Sequence, residues 1–153
     1  MPTLYMLVGV PGSGKSTWIS NQNWTGDCTI VSSDRFIDDE AARLGKTYND
    51  IFNDYVKIAT KLMENHVAVA QANNINIIWD QTNVSVKSRA KKLAMLPNYE
   101  KIAVVFKTPD EAELTRRLAS RPGKSIPDIA MRSMIDNFEM PTEDEGFKEI
   151  WRA

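Results

Sequence analysis

The 153-residue sequence predicts an α/β fold: a parallel sheet of four or five strands, helices on both faces and a small lid. Three observations carry that prediction. Short apolar runs alternate with segments of helical period. The first apolar run leads directly into a glycine-rich octet and then into a helix opening. No repeat, low-complexity tract or linker divides the chain, so residues 1–153 are expected to form one domain of ordinary size.

The elements follow in order. Leu4–Val8 is the first strand, and Ser16 to about Asn21 is a short helix after the octet. Thr29-Ile30-Val31 is a second strand, expected close to the first. From about Asn49 to Asn73, apolar residues recur every three or four positions (Ile51, Tyr55, Ala59, Leu62, Met63, Val67, Ala70), the signature of a long amphipathic helix. Ile75–Trp79 is a third strand. Ser85 caps a helix running to about Leu96, where Pro97 stops it. Ile102–Phe106 is a fourth strand. Thr108-Pro109-Asp110-Glu111 combines a cap, a first-turn proline and two acids, and starts another helix. A basic loop from Arg121 to Ile126 precedes a last helix, from Pro127 to about Phe138, and a short tail.

Composition sets outer bounds. The chain is 42% apolar and 25% charged, with no long uncharged apolar run, so no membrane association is expected. No cationic leader precedes the first strand, Cys28 has no partner for an internal disulfide, and the expected location is the cytoplasm. Asn23-Trp24-Thr25 and Asn83-Val84-Ser85 match the glycosylation sequon by chance. The formal net charge of −1 conceals an asymmetry. Val86–Arg132 holds eleven Lys or Arg against five acids, whereas Ser133–Ala153 holds two against six. This split fits either a polyanion-facing surface or ordinary charged helix faces.

The octet Gly9-Val-Pro11-Gly12-Ser13-Gly14-Lys15-Ser16 fits G-x-x-x-x-G-K-[ST], the Walker A phosphate loop. Its backbone N–H groups must close around phosphate oxygens, and a Cβ at Gly12 or Gly14 would obstruct them. Pro11 to Thr17 are therefore read as the nucleotide cradle. Lys15 reaches the β- and γ-phosphates, and Ser16 ligates Mg²⁺ carried in with ATP.

In a parallel α/β sheet, ligands gather at the carboxyl ends of the strands, which singles out three further groups. Asp34 follows the second strand and is either a general base for an acceptor hydroxyl or the cap of the next helix. Asp80 ends the third strand, with Thr82 and Asn83 close behind. It serves as a Walker B-type acid, or this run is simply a polar turn. Arg117 and Arg121 share a helix face and lead into a hinged loop at about 117–127. They suit either a lid that neutralises the transferring phosphoryl group or a complement to the helix dipole. The single histidine, His66, lies on the apolar side of the long helix and is expected to pack in the core. No Cys/His cluster has metal-binding spacing, and nothing calls for a protein partner.

Taken together, these segments resemble the polynucleotide 5′-hydroxyl kinase family, the phage-type P-loop kinase domain. Pro11-Gly-Ser-Gly-Lys-Ser-Thr-Trp18, Ser33-Asp34-Arg35-Phe36, Asp80-Gln-Thr-Asn83 and Arg117-Leu-Ala-Ser-Arg121-Pro-Gly-Lys124 carry the resemblance over most of the chain. It implies ATP-dependent transfer of the γ-phosphate to the 5′-OH of DNA or RNA. Lys15 and Ser16 would hold the donor, Asp34 would act as base, Asp80 as supporting acid, and Arg117 and Arg121 would form the lid, with Arg121 catalytic. Thr82 and Asn83 would sit on the acceptor side or support it.

Two departures matter. The family's acceptor-phosphate Arg, three residues after the catalytic Asp, is Ile37 here, with Arg35 the nearest substitute. The phosphatase domain often fused to such kinases has no counterpart, so no 3′-end processing is expected. Kinases for a hydroxymethylated base (5-hydroxymethyluracil type) in phage DNA and small-molecule nucleoside kinases are the enzymatic alternatives. An ATP-dependent switch is the non-enzymatic one, although a GTPase switch would carry Asn-Lys-x-Asp, which is absent.

Overall fold

The computed structural model describes residues 1–24 and 26–153, so the sequon at Asn23 runs outside the described residues at Thr25. Five parallel strands form one sheet: β1 (Thr3–Val8), β2 (Cys28–Val31), β3 (Asn76–Trp79), β4 (Glu100–Val105) and β5 (Glu149–Arg152), in the order β2-β3-β1-β4-β5. Leu4 pairs with Ile77 on one side and Lys101 on the other, which seats β1 at the centre. The second strand is therefore not beside the first. β3 lies between them; 44 residues join β2 to β3 and 67 separate β1 from β3, lengths that leave both crossovers open. The tail expected after residue 138 is also corrected. It contains a 3-10 turn (Glu143–Glu145) and β5, whose two apolar residues between Glu149 and Arg152 are too few to read as a strand.

The central strands are buried on both faces, which is why they read as continuous apolar runs. Leu4, Met6 and Val8 pack with Ile77, Trp79 and Ala103 against Met63, Val67 and Ala70 of α3 (Tyr48–Ala72) and Leu93 of α4 (Val86–Leu93). Leu7, Ile78, Ile102 and Val104 face the other way, toward Ile19 of α1 (Lys15–Ser20) and the ring of Trp18. α5 (Glu111–Ala119) and α6 (Asp128–Asp136) contribute Leu114 and Met131 to a smaller cluster around Val10.

α2 (Ser33–Leu44) ends at Gly45, whose φ of 66° turns the chain back into α3. α3 is opened by a reciprocal capping box between Thr47 and Asp50. Ile37, Ala41, Ile51 and Ala59 join the two helices into a hairpin. Ser85 caps α4 as expected, accepting from Ser88 N–H (3.1 Å), whereas α5 is capped by Asp110, which accepts from Glu113 N–H (2.9 Å), and not by Thr108, so Pro109 lies before the helix. His66 packs edge-on against Phe36, and its Nε2 hydrogen-bonds Thr29 Oγ1 at 2.9 Å, a structural role as expected. No helix among the described residues is long and apolar enough to cross a membrane.

Candidate active site

The phosphate loop begins where β1 runs out of ladder. Gly9 N–H donates to Thr82 carbonyl (2.9 Å), tying the loop to the end of β3. A Cβ on Gly9 would come within 2.5 Å of Ser13 Oγ and 2.9 Å of Phe106 Cβ, so only glycine fits there. Gly12 (φ 82°) and Gly14 (φ 104°) occupy the left-handed region, where side chains are strained. Gly14 caps α1 without any side-chain bond, leaving the first-turn N–H groups turned toward the cleft. Lys15 Nζ lies folded over the loop and donates to the carbonyls of Gly9 (2.7 Å) and Val10 (3.0 Å). Burial lowers its pKa to about 8, against the pull of Asp80 and Asp34, and Arg121 adds to the lowering.

A cleft of about 970 Å³ opens above the loop. Gly12 to Thr17 line its floor. Asp34, Arg35 and Asp38 from α2, Asp80 and Thr82 from the end of β3, and Arg117, Arg121 and Lys124 from the lid line its walls. Asp34 thus shares one cavity with Lys15, although β2 is two strands from β1. Asp80 is largely buried, which raises its pKa, while Lys15 and then Arg35 hold it down. Arg35 belongs to the site and sits close enough to Asp80 to act on it.

Asn83 does not face the acceptor. It is 2% exposed, adopts φ 48°, and donates from Nδ2 to Leu7 carbonyl (2.8 Å), locking the β3 exit to β1. Its Oδ1 accepts from Lys92, and its carbonyl accepts from Arg89 Nη1 (2.8 Å). Arg89 is fully buried and makes a two-pronged ion pair with Glu145 (2.8 and 3.2 Å). Of the two roles open to Asn83, acceptor contact or support, its bonds fit support.

The lid differs from the expected hinged loop. Arg117 stands at the lip of the cradle, but its guanidinium is engaged by Gly12 carbonyl (2.9 Å) and Glu113 (2.7 Å). Among the described residues, the Arg121 side chain has no hydrogen-bond or ion-pair partner. The loop itself is docked on the corner between α2 and α3. Asn49 N–H donates to Gly123 carbonyl (2.9 Å), Asn49 Nδ2 to Ser125 Oγ (2.7 Å), and Lys124 pairs with Asp38 (3.0 Å). At that corner, Tyr48 donates from its hydroxyl to Asp34 Oδ1 at 2.7 Å. Sequence reasoning missed Tyr48, Asp38 and the cleft wall at Trp18 and Phe106, because no local pattern marks residues brought together over such separations.

The basic span also changes meaning. Arg89 and Lys92 face inward, Arg116 and Arg117 bind Glu113, and Lys124 binds Asp38. Five of the eleven cations over 86–132 are therefore internal or paired.

These features can be compared with known proteins. An AAA domain model (AAA_33) matches residues 4–141. The chain belongs to this AAA domain family. It is 27% identical over 157 residues to heterogeneous nuclear ribonucleoprotein U-like protein 2 of Mus musculus, covering 95% of the chain and 20% of that protein. It is 25% identical over 152 residues to the bifunctional polynucleotide phosphatase/kinase of Schizosaccharomyces pombe, covering 96% of the chain and 32% of the relative. Among solved structures it resembles a chain of the Pnkp1/Rnl/Hen1 RNA repair complex, at 28% identity and a TM-score of 0.66, over 89% of this chain and 43% of that one. These matches bear out the resemblance to polynucleotide kinases and the P-loop kinase fold. The chain spans a fifth to a third of the curated relatives it matches.

Proposed function

We propose that the protein transfers the γ-phosphate of ATP to a hydroxyl of nucleic acid, most naturally the 5′-OH end of DNA or RNA. One observation carries the reading: phosphate loop, Asp34, Asp80 and Arg121, which has no partner among the described residues, line a single cleft. The cradle suits a triphosphate. Its glycines at positions 12 and 14 hold left-handed conformations that open the loop backbone.

In this mechanism the acceptor oxygen attacks the γ-phosphorus, the bond to the β-phosphate oxygen breaks, and ADP leaves. Asp34 takes the proton from the attacking hydroxyl. Lys15 and Arg121 neutralise charge on the transferring group. Asp80, held between Lys15 and Arg35, orients both cations. Magnesium entering with ATP would be held by Ser16, with Asp80 beside it, and would supply further neutralisation of the β- and γ-phosphates.

A second reading, a kinase for a hydroxymethylated base or a free nucleoside, is favoured by two specific features. Ile37 is fully buried in the helix hairpin, so nothing at that position reaches an acceptor phosphate, and five of the eleven cations of the basic span are internal or paired. The test is a transfer assay with γ-labelled ATP offering 5′-OH oligonucleotides of DNA and RNA, hydroxymethyluracil-containing duplex, and free nucleosides in parallel. Label on oligonucleotide ends supports the first reading. Label only on nucleosides, or only on the modified base, replaces it.

A further inference from the structure

The lid loop and the carboxylate read as the base are not independent parts of this cleft, and a single side chain joins them. Tyr48 stands at the first residue of α3, half-buried, with its hydroxyl 2.7 Å from Asp34 Oδ1. Across its ring lies Lys124 of the lid, with Nζ 4.6 Å from the ring centroid and 3.0 Å from Asp38 Oδ2. Either side of Tyr48 is fastened to the same loop. Thr47 is packed so tightly beneath Gly123 that a Cβ there would lie 2.6 Å from it, and Asn49 bonds both Gly123 carbonyl and Ser125 Oγ.

We propose that Tyr48 is a positioning residue for Asp34, and that docking of lid residues 123–125 on the 47–49 corner sets the Asp34 carboxylate in place through it. The inference rests on the reading of Asp34 as the acceptor's base. Its physical content is geometric. A carboxylate on the first turn of α2 can rotate about two side-chain bonds, and a phenol held by lid and corner leaves one orientation in which Oδ1 is occupied and Oδ2 is free for the acceptor proton. Burial, together with the Asp34 bond, holds the Tyr48 phenol protonated well above its ordinary range, so it acts as a donor throughout the working pH range. Because the same loop carries Arg121, one docking event would bring the donor-side cation and the acceptor-side base into register.

The experiment compares Tyr48→Phe, Lys124→Met and the double variant in two readouts. For transfer, Tyr48→Phe should lower kcat about tenfold or more with KM for ATP unchanged. The two substitutions together should cost little more than the larger one alone, since both break one path. For docking, hydrogen exchange at Asn49, whose amide donates to the lid, should quicken several-fold in Lys124→Met and, through Tyr48, in Asp34→Ala. Full additivity in kcat, or exchange at Asn49 indifferent to Asp34, overturns the inference. Should wild-type protein transfer phosphate to no nucleic acid, the proposed function fails, while the exchange readout still decides whether Asp34 and the lid are coupled.

Discussion

The donor wall and the acceptor wall of the cleft are built on different principles. The donor wall is backbone. Gly9, Gly12 and Gly14 shape it, and hydrogen bonds from Gly9 to Thr82 and from Asn83 to Leu7 pin it to the buried centre of the sheet. The wall assigned to the acceptor is side chains: Asp34, Arg35 and Asp38 from one helix, backed by Tyr48 of the next through its bond to Asp34 and by Lys124 of the lid through its bond to Asp38. A backbone cradle tolerates no change of residue type at its contact points and suits one ligand class. A wall of side chains can be altered position by position, which is how Ile37 can stand where related kinases hold an acceptor-phosphate arginine without disturbing the donor side.

The sharpest way to break this contrast is within the lid. Arg121→Ala should lower kcat by about 10³-fold, the loss expected for an arginine acting on the transferring phosphoryl group. Arg117→Ala should cost about tenfold or less, because its guanidinium braces Gly12 carbonyl and Glu113. Steady-state kinetics of both variants decide it, and equal losses would erase the distinction between a chemical and a bracing arginine.

The next effect lies beneath the donor wall. Replacing Arg89 by Ala leaves Glu145 and the Asn83 carbonyl without their buried partner, and should destabilise the fold by about 3–5 kcal/mol. Denaturant unfolding with an unchanged slope would measure it, and a loss under 1 kcal/mol would show the pair to be dispensable.

A smaller effect is electrostatic. Lys15 titrates near 8 chiefly because it is buried, so its charge is present below that pH and lost above it. The value of kcat/KM for ATP, which reports the free protein, should therefore fall as pH rises through about 8, approaching tenfold per unit. A flat profile to pH 9.5 would place the lysine outside the donor's reach.

The same contrast explains what the sequence revealed. Residues 9–16 declare the donor cradle because contiguous backbone needs contiguous glycines, and the parallel strands declare themselves through unbroken burial. The cap residue Ser85 was legible for the same reason, since a cap acts on its own next turn, whereas Asp110 takes the place expected of Thr108. Strand order was not legible: β3 displaces β2 from the side of β1 through crossovers that sequence spacing leaves open. β5, four residues with one half-buried and three exposed side chains, carries no apolar run to betray it. The sequence left the role of Asn83 open between acceptor contact and support, because a polar residue at a strand end looks alike whether it turns toward the cleft or, as here, back under the sheet. Tyr48 was invisible, since its partners lie 14 and 76 residues away.

The most direct test of the whole account is Asp34→Asn, assayed for transfer of labelled γ-phosphate to a 5′-OH oligonucleotide and, separately, for ATP binding by calorimetry. The substitution keeps the side chain's size and its bond to Tyr48 while removing the base. Transfer is expected to fall by about 10²-fold or more with ATP affinity preserved. Transfer at the wild-type rate, or a loss confined to ATP binding, would contradict the assignment of Asp34 as the group that deprotonates the acceptor.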